Sequence, residues 1–390
     1  MSDRVKRVET FTITIPREVP YLGELAADEQ PNARGYFIRR GNRTVYPTVD
    51  RSVIVRIETN DGAVGWGETY GIVSPGAVRE IIEDLLADFV SGRDPLDVSV
   101  IHEDLYDLMH VRGYTSGFYL DALAAIDIGL WDLCGKLHGM PLAKLLGGQR
   151  RQRIPAYLSG LPGDSLAERV ELALQWRDKG ISRYKFAATA ADQGPIAELS
   201  ALREQLGNDV QIAADLHWKY SAAEAVSLIR QLEPHGLWFA EAPCAPENQI
   251  GLAKVSANVA ASIAAGEEWR TVHELLPRLQ QGCLSIFQPE MGHIGVTQFM
   301  RMSHLAQAFH CPIIPHATIG IGLFLSASLH ATAALVSAEV HEYQHTVFDS
   351  NRRFVSGDLD CSKGIYAVPS GAGLGVEPSD EALALMGCSI

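Results

Sequence analysis

Apolar and polar positions fall into two textures along the chain, and the change comes at Gly148. Before it, RSVIVRIET and AVGWGET read as strands around the turn residues NDG, the pattern of a hairpin. PGAVREIIEDLLADFV and LDALAAIDIGLWDLCGKLHG follow with helical spacing of their apolar residues. Residues 1–148 thus predict an α+β unit. Between Pro20 and Pro47 runs a long polar stretch rich in Gly, Asn and Arg. A loop of that length in a compact domain is commonly functional or disordered. After Gly148, short apolar runs alternate with amphipathic helical patterns such as LAERVELALQWRDKG and AEAVSLIRQLEP. The runs are IPAYLS, SRYKFA, VQIAAD, LWFAEAP, SIAAGEE, LSIFQPE, CPIIPHA and EVHEYQH, and eight of them predict an α/β barrel of eight parallel strands.

Polar residues close these runs: Lys185, Asp215, Glu241, Glu267, Glu290 and His316. The C-terminal ends of parallel barrel strands meet on one face, so side chains far apart in sequence converge there. Scattered surface charges would not select the last position of successive strands. Asp215, Glu241 and Glu267 offer hard oxygen ligands suited to Mg²⁺, which leaves coordination positions open for substrate. Without a cation, three gathered carboxylates would repel one another and raise their pKa values. Glu268, next to Glu267, is expected to point away by strand alternation. Lys185 is placed to bind a substrate carboxylate. His316 is expected to act as a general base, with Glu290 fixing its tautomer. His217, two residues past Asp215, is a candidate proton donor or substrate ligand.

Composition narrows the partners. The chain has 390 residues, 47% hydrophobic and 21% charged, with a formal net charge of −14. The acidity argues against nucleic acid and anionic membranes, yet a bound metal and local arginines can reverse the field within one pocket. No apolar run reaches the roughly 20 residues of a membrane span. The start MSDRVKRVETFTI lacks a secretory apolar core, so a cytoplasmic location is expected. Six cysteines without a C-x-x-C pair are expected to be reduced and mostly buried.

The ordered set K-x-A, D-x-H, E-A-P, G-E, Q-P-E and P-H resembles the enolase superfamily, and within it the mandelate racemase subgroup. LDALAAIDIGLWDLCGK, LLGG and PSGAGLGV extend the resemblance over nearly the whole chain. It implies an α+β capping domain over residues 1–148, a modified (β/α)7β barrel over 149–354, and a segment 355–390 packing back on the cap. It also implies Asp215, Glu241 and Glu267 as Mg²⁺ ligands, His316 supported by Glu290, and a homo-oligomer. Glu342, in HEYQ, matches a carboxylate that helps stabilise an enediolate, a role expected of its protonated form. Two positions depart from the pattern. Ala187 stands where a second lysine is frequent, which leaves one face of the substrate carbon without a base and argues against racemisation. Glu290 stands where an aspartate is usual.

YKFA, DLHW, AEAP, GEEWRT and QPEMGH look like a galactarate dehydratase branch of the subgroup. The resemblance therefore implies a small-molecule sugar acid, with a hexarate dehydrated to a 2-keto-3-deoxy acid by His316 and then His217 or His316 itself. Arg39, Arg40 and Arg43 are candidates for gripping a distal carboxylate, since arginine offers a planar two-point grip. Tyr70, Trp269 and Arg270 are candidates for the pocket wall. Epimerisation or lactone cycloisomerisation would use the same proton abstraction, and a non-catalytic binding role leaves the ligand set unexplained. HEYQH, residues 341–345, is formally the H-E-x-x-H of zinc proteases, which requires a helix where strand eight is expected. The G-I-G at Gly320 and the G-L-G at Gly373 lack the context of a phosphate loop.

Overall fold

A computed structural model describes residues 3–21, 23–39, 43–317 and 320–387. The chain opens on β1 (Val5–Pro16) and crosses the polar stretch through a small hairpin, β2 (Tyr36–Ile38) and β3 (Val45–Pro47). It returns as β4 (Val49–Thr59) and β5 (Val64–Tyr70), and β1, β4 and β5 form one antiparallel sheet. The predicted NDG turn joins the last two, with Gly62 at φ 88°, a conformation that glycine adopts without steric cost. The helix Phe118–His138 lies across this sheet. Its close approach explains GWG: a side chain at Gly67 would run into the Ala125 carbonyl, and one at Gly65 into that of Gly129. The predicted helix after Pro75 forms but passes through a π-helical stretch, Ile81–Leu86. Val53, Val55 and Ile57 of β4 meet Leu123, Ile126 and Leu130 of the long helix in a shared core. Full burial of each such side chain contributes about 1.5–3 kcal/mol.

The barrel follows as β6 (Arg153–Ser159), β7 (Arg183–Ala187), β8 (Gln211–Asp215), β9 (Leu237–Glu241), β10 (Ser262–Ala265) and β11 (Ile286–Phe287), each parallel to the next. The seventh run forms only isolated bridges, at Ile313 and His316. Pro312 and Pro315 explain this, because each lacks the N–H that a ladder needs. Strand eight, β12 (His341–Tyr343), pairs with β6 and closes the cylinder. Tyr157, Ala213, Phe239, Ala264, Ile286 and Ile314 form a separate apolar cluster drawn from successive strands, while alternate residues pack on the surrounding helices. Helix starts are specified locally: Ser221 with Glu224, and Thr271 with Glu274, form capping boxes.

The tail adds β13 (Val355–Gly357), β14 (Cys361–Ser362), β15 (Ile365–Ala367) and β16 (Val376–Pro378). β15 pairs antiparallel with β6, so the tail extends the barrel sheet. It also touches the cap: the Leu374 amide donates to Asp132 at 2.8 Å. A second clamp runs from cap to barrel. Glu68 of β5, wholly buried, accepts amide hydrogens from Ile321 at 2.6 Å and Leu323 at 2.9 Å, and the Ser52 hydroxyl at 2.6 Å. It thereby caps the helix Leu323–Ala334 from another part of the molecule. No described helix is long and apolar enough to cross a membrane. Cys134, Cys244, Cys283 and Cys311 are buried free thiols and Cys361 is partly exposed, while Cys388 lies outside the described residues.

Candidate active site

The strand-end residues do converge. Lys185, at the centre of β7, has its Nζ 2.8 Å from Glu241 Oε1 and 3.0 Å from Glu342 Oε1. Asp215 and Glu241 sit side by side in the β8–β9 register. Ligand atoms of Glu241, Glu267 and His316 lie within 4.8 Å of one another. His316 Nδ1 is 2.8 Å from Glu290 Oε2, and its Nε2 meets Glu267. The same Glu290 oxygen accepts the Tyr70 hydroxyl at 2.8 Å, while Glu290 Oε1 caps the helix Met291–Ala308 through the Gly292 amide at 3.0 Å. The extra methylene of a glutamate at this position therefore still lets it reach the imidazole. Gln288 donates to Glu241 at 2.7 Å, and the Ala317 amide to Glu342 at 2.9 Å.

Electrostatics follow from this crowding. Burial, reinforced by the charges of Asp215, Glu342 and Glu267, pushes Glu241 up to about 8 although Lys185 opposes it. Burial alone would raise Glu342, but Lys185 and His316 outweigh it and hold that carboxyl at about 2. In this arrangement the carboxylate form of Glu342 is the favoured one, and its partners are Lys185 and the Ala317 amide. Burial disfavours charge on His316, yet Glu267 and Glu342 raise its pKa well above the usual imidazole value. The donor set fits a hard divalent cation: carboxylate oxygens predominate, and their mutual repulsion shows in Glu241.

Two models of known families match the chain: the mandelate racemase / muconate lactonizing enzyme N-terminal domain over residues 42–147, and the enolase C-terminal domain-like family over 168–382. The chain belongs to the enolase superfamily, in its mandelate racemase group. A crystal structure of a Sinorhizobium meliloti protein is 62% identical to this superfamily member, covers 98% of it and 99% of its own chain, and superposes with a TM-score of 0.97. A member of the enolase superfamily from Agrobacterium tumefaciens is 53% identical, with 99% of each chain covered and a TM-score of 0.96. The D-galactonate dehydratase of Ralstonia nicotianae is 32% identical over 363 residues, 88% of this chain and 92% of that protein.

In this enolase-superfamily chain the site opens into a cavity of about 550 Å³ between barrel and cap. Its wall includes Lys185, Ala187, Asp215, His217, Glu267, Glu342 and His316 from the barrel. Tyr21, Val45, Tyr46, Ile72 and Phe118 close it from the cap. His217 stands in the wall at φ 50°, its Nδ1 3.2 Å from Asp215 Oδ1. Glu268 also faces the cavity, against the expectation that it turns away. The physical reason is that β10 ends at Ala265 and Gly266 turns the chain at φ 137°, so strand alternation no longer applies. Burial and the neighbouring Glu267 push Glu268 up to about 7.

Several pocket candidates are corrected. Arg39 is buried and folds inward, donating to the Tyr21 carbonyl, to the Glu24 carbonyl at 2.9 Å and to Glu29 at 2.7 Å. Its five donors stitch the polar loop together rather than facing substrate. Arg40 lies outside the described residues. Arg43 is exposed, and the loop lines the cavity with Thr44, Val45 and Tyr46 instead. Trp269 is buried under the Arg278 guanidinium, 4.7 Å from its ring centroid, and does not reach the wall. Arg270 does line it, held 3.4 Å from Asp121 and by the Glu267 carbonyl at 3.0 Å. Tyr70 lines it too, with its hydroxyl committed to Glu290. The zinc-protease reading of HEYQH fails: His341 lies in a strand and bonds Ser328 at 2.8 Å, whereas His345 bonds the Gly160 carbonyl at 3.0 Å.

Sequence reading passed over Asp121 and His293. His293 Nδ1 lies 2.8 Å from Asp121 Oδ1, and both face the cavity. The available signals were an acid in the first turn of a largely apolar helix, and the histidine that ends QPEMGH.

Proposed function

We propose that this chain is a magnesium-dependent dehydratase that converts a sugar acid, a hexarate by first choice, into a 2-keto-3-deoxy acid. The observation that carries the reading is one imidazole base, His316, backed by Glu290 at 2.8 Å, facing a cavity whose wall carries Ala187 at the position where racemisation would call for a second base. The D-galactonate dehydratase relative supports elimination from a sugar acid.

Asp215, Glu241 and Glu267 would hold the cation, which when bound supplies positive charge to the substrate carboxylate and so acidifies the neighbouring carbon. Lys185, pinned between Glu241 and Glu342, donates to the carboxylate oxygen on which charge builds. His316 Nε2 takes the α-proton, while Glu290 keeps Nδ1 oriented. Glu342, ionised and hydrogen-bonded to the Ala317 amide, holds Lys185 in place. Arg270 is the one arginine in the cavity wall among the described residues and would face the far end of a diacid.

A second reading, cycloisomerisation, has support from the D-galactarolactone cycloisomerase of Agrobacterium fabrum, 29% identical over 85% of this chain. It starts with the same proton abstraction, and the oxygen that leaves belongs to a ring of the substrate. A panel of mono- and diacid sugars and their lactones, with Mg²⁺ and product identification, tests both. Keto-acid release from an open-chain acid is the expected result. If lactones alone react, the second reading stands; if no sugar acid reacts, both fail.

A further inference from the structure

We propose that His293 is a second catalytic imidazole: oriented by Asp121, it protonates the oxygen that leaves the carbon next to the one deprotonated by His316. This rests on the elimination reading of the site. His293 occupies the first turn of the helix Met291–Ala308, three residues beyond Glu290. Its Nδ1 lies 2.8 Å from Asp121 Oδ1, a cap carboxylate that also holds Arg270 at 3.4 Å. Its ring stacks on Tyr70, with centroids 4.0 Å apart and planes at 15°. The Tyr70 hydroxyl meanwhile bonds Glu290, the partner of His316. Two imidazoles therefore share one design, each with Nδ1 on a buried carboxylate, and Tyr70 fixes their spacing. Among the described residues no protein group bonds His293 Nε2, and the side chain is 20% exposed into the cavity.

Position assigns the task. Lys185, paired with Glu241 at 2.8 Å, lines the part of the cavity assigned to the substrate carboxylate, and the remaining carbons would extend toward the cap, where Asp121 meets the barrel's His293 in the same wall. His217 is the less suited donor. Its Nδ1 sits 3.2 Å from Asp215, a carboxylate assigned to the cation, which ties His217 to the metal end of the site. The step balances without an oxidant. The C–H bond breaks, its proton goes to His316, and its electron pair forms a carbon–carbon double bond. The C–O bond breaks with its pair on oxygen, and the His293 proton makes that oxygen water, or part of a carboxyl group when it belonged to a lactone ring. His293 is then reprotonated from solvent.

The test uses the magnesium-loaded enzyme in deuterated water with the best acid from the panel. For His293→Asn we expect product formation to fall by at least about a hundredfold. Recovered substrate should still gain deuterium at the α-carbon at a rate within about threefold of wild-type turnover, because His316 is intact. Asp121→Asn, which only disturbs positioning, should give a smaller loss with the same retained exchange, and His293→Gln serves if the Asn variant does not fold. Unchanged product formation overturns the proposal, as does a parallel fall of product and exchange, or the uncoupled signature appearing in His217→Asn instead. A wild-type enzyme that forms no product overturns it together with the reading beneath it, and that result needs no variant.

Discussion

Glu290 binds three groups at once: the Gly292 amide on one oxygen, and the Tyr70 hydroxyl and His316 Nδ1 on the other. Its charge is divided among them, which makes Tyr70 a handle on the base. Tyr70→Phe removes one donor, concentrates the carboxylate charge on the imidazole and favours the imidazolium. The His316 pKa should rise, so the acidic limb of kcat/KM against pH should move to higher pH, with activity recovered in alkali. An unmoved limb would show that the hydroxyl does not bias the base. His316→Asn should cost about a thousandfold or more in kcat while calorimetry still detects metal binding. Retained turnover would remove His316 from the role of base. Much of this was legible, because a charged residue closing each apolar run is a sequence pattern. Arg39 was not: its partners are mainly carbonyls of its own loop, and a guanidinium looks alike in sequence whether it grips substrate or backbone. Asp121 and His293 meet across 172 residues and belong to no run-end pattern.

Elements depart from the sequence reading where local chemistry interrupts periodicity. The seventh strand dwindles to bridges at its prolines, and Gly266 ends β10 early enough to swing Glu268 into the cavity. The hairpin and the long helix were legible, since turn residues and apolar spacing specify them locally. The cap on the helix Leu323–Ala334 was not, because its carboxylate comes from β5. Glu68→Gln replaces an all-acceptor group by one whose NH₂ meets amide donors. The expected loss is about 1–3 kcal/mol of stability, read as a lower denaturant midpoint at unchanged slope. Equal midpoints would mean that water satisfies those amides in the variant.

Across the molecule, the active-site charge balance would make uptake of the proposed cation a proton-linked event. Glu241 is pushed up to about 8 and Glu268 to about 7, so both carry protons over part of the neutral range. A cation held by Glu241 would need that carboxyl ionised, so binding would expel a proton and affinity should tighten as pH rises towards about 8. Calorimetry in two buffers of unlike ionisation enthalpy should report that release, and a pH-independent affinity would contradict it.

Glu68 sits in one part of the chain and holds the other just downstream of the base-bearing turn. Exchanging lids between relatives to alter substrate range is thus not a free cut and paste. A transplanted lid must bring a carboxylate at that position, or the graft will leave a row of amides unanswered beneath the new wall.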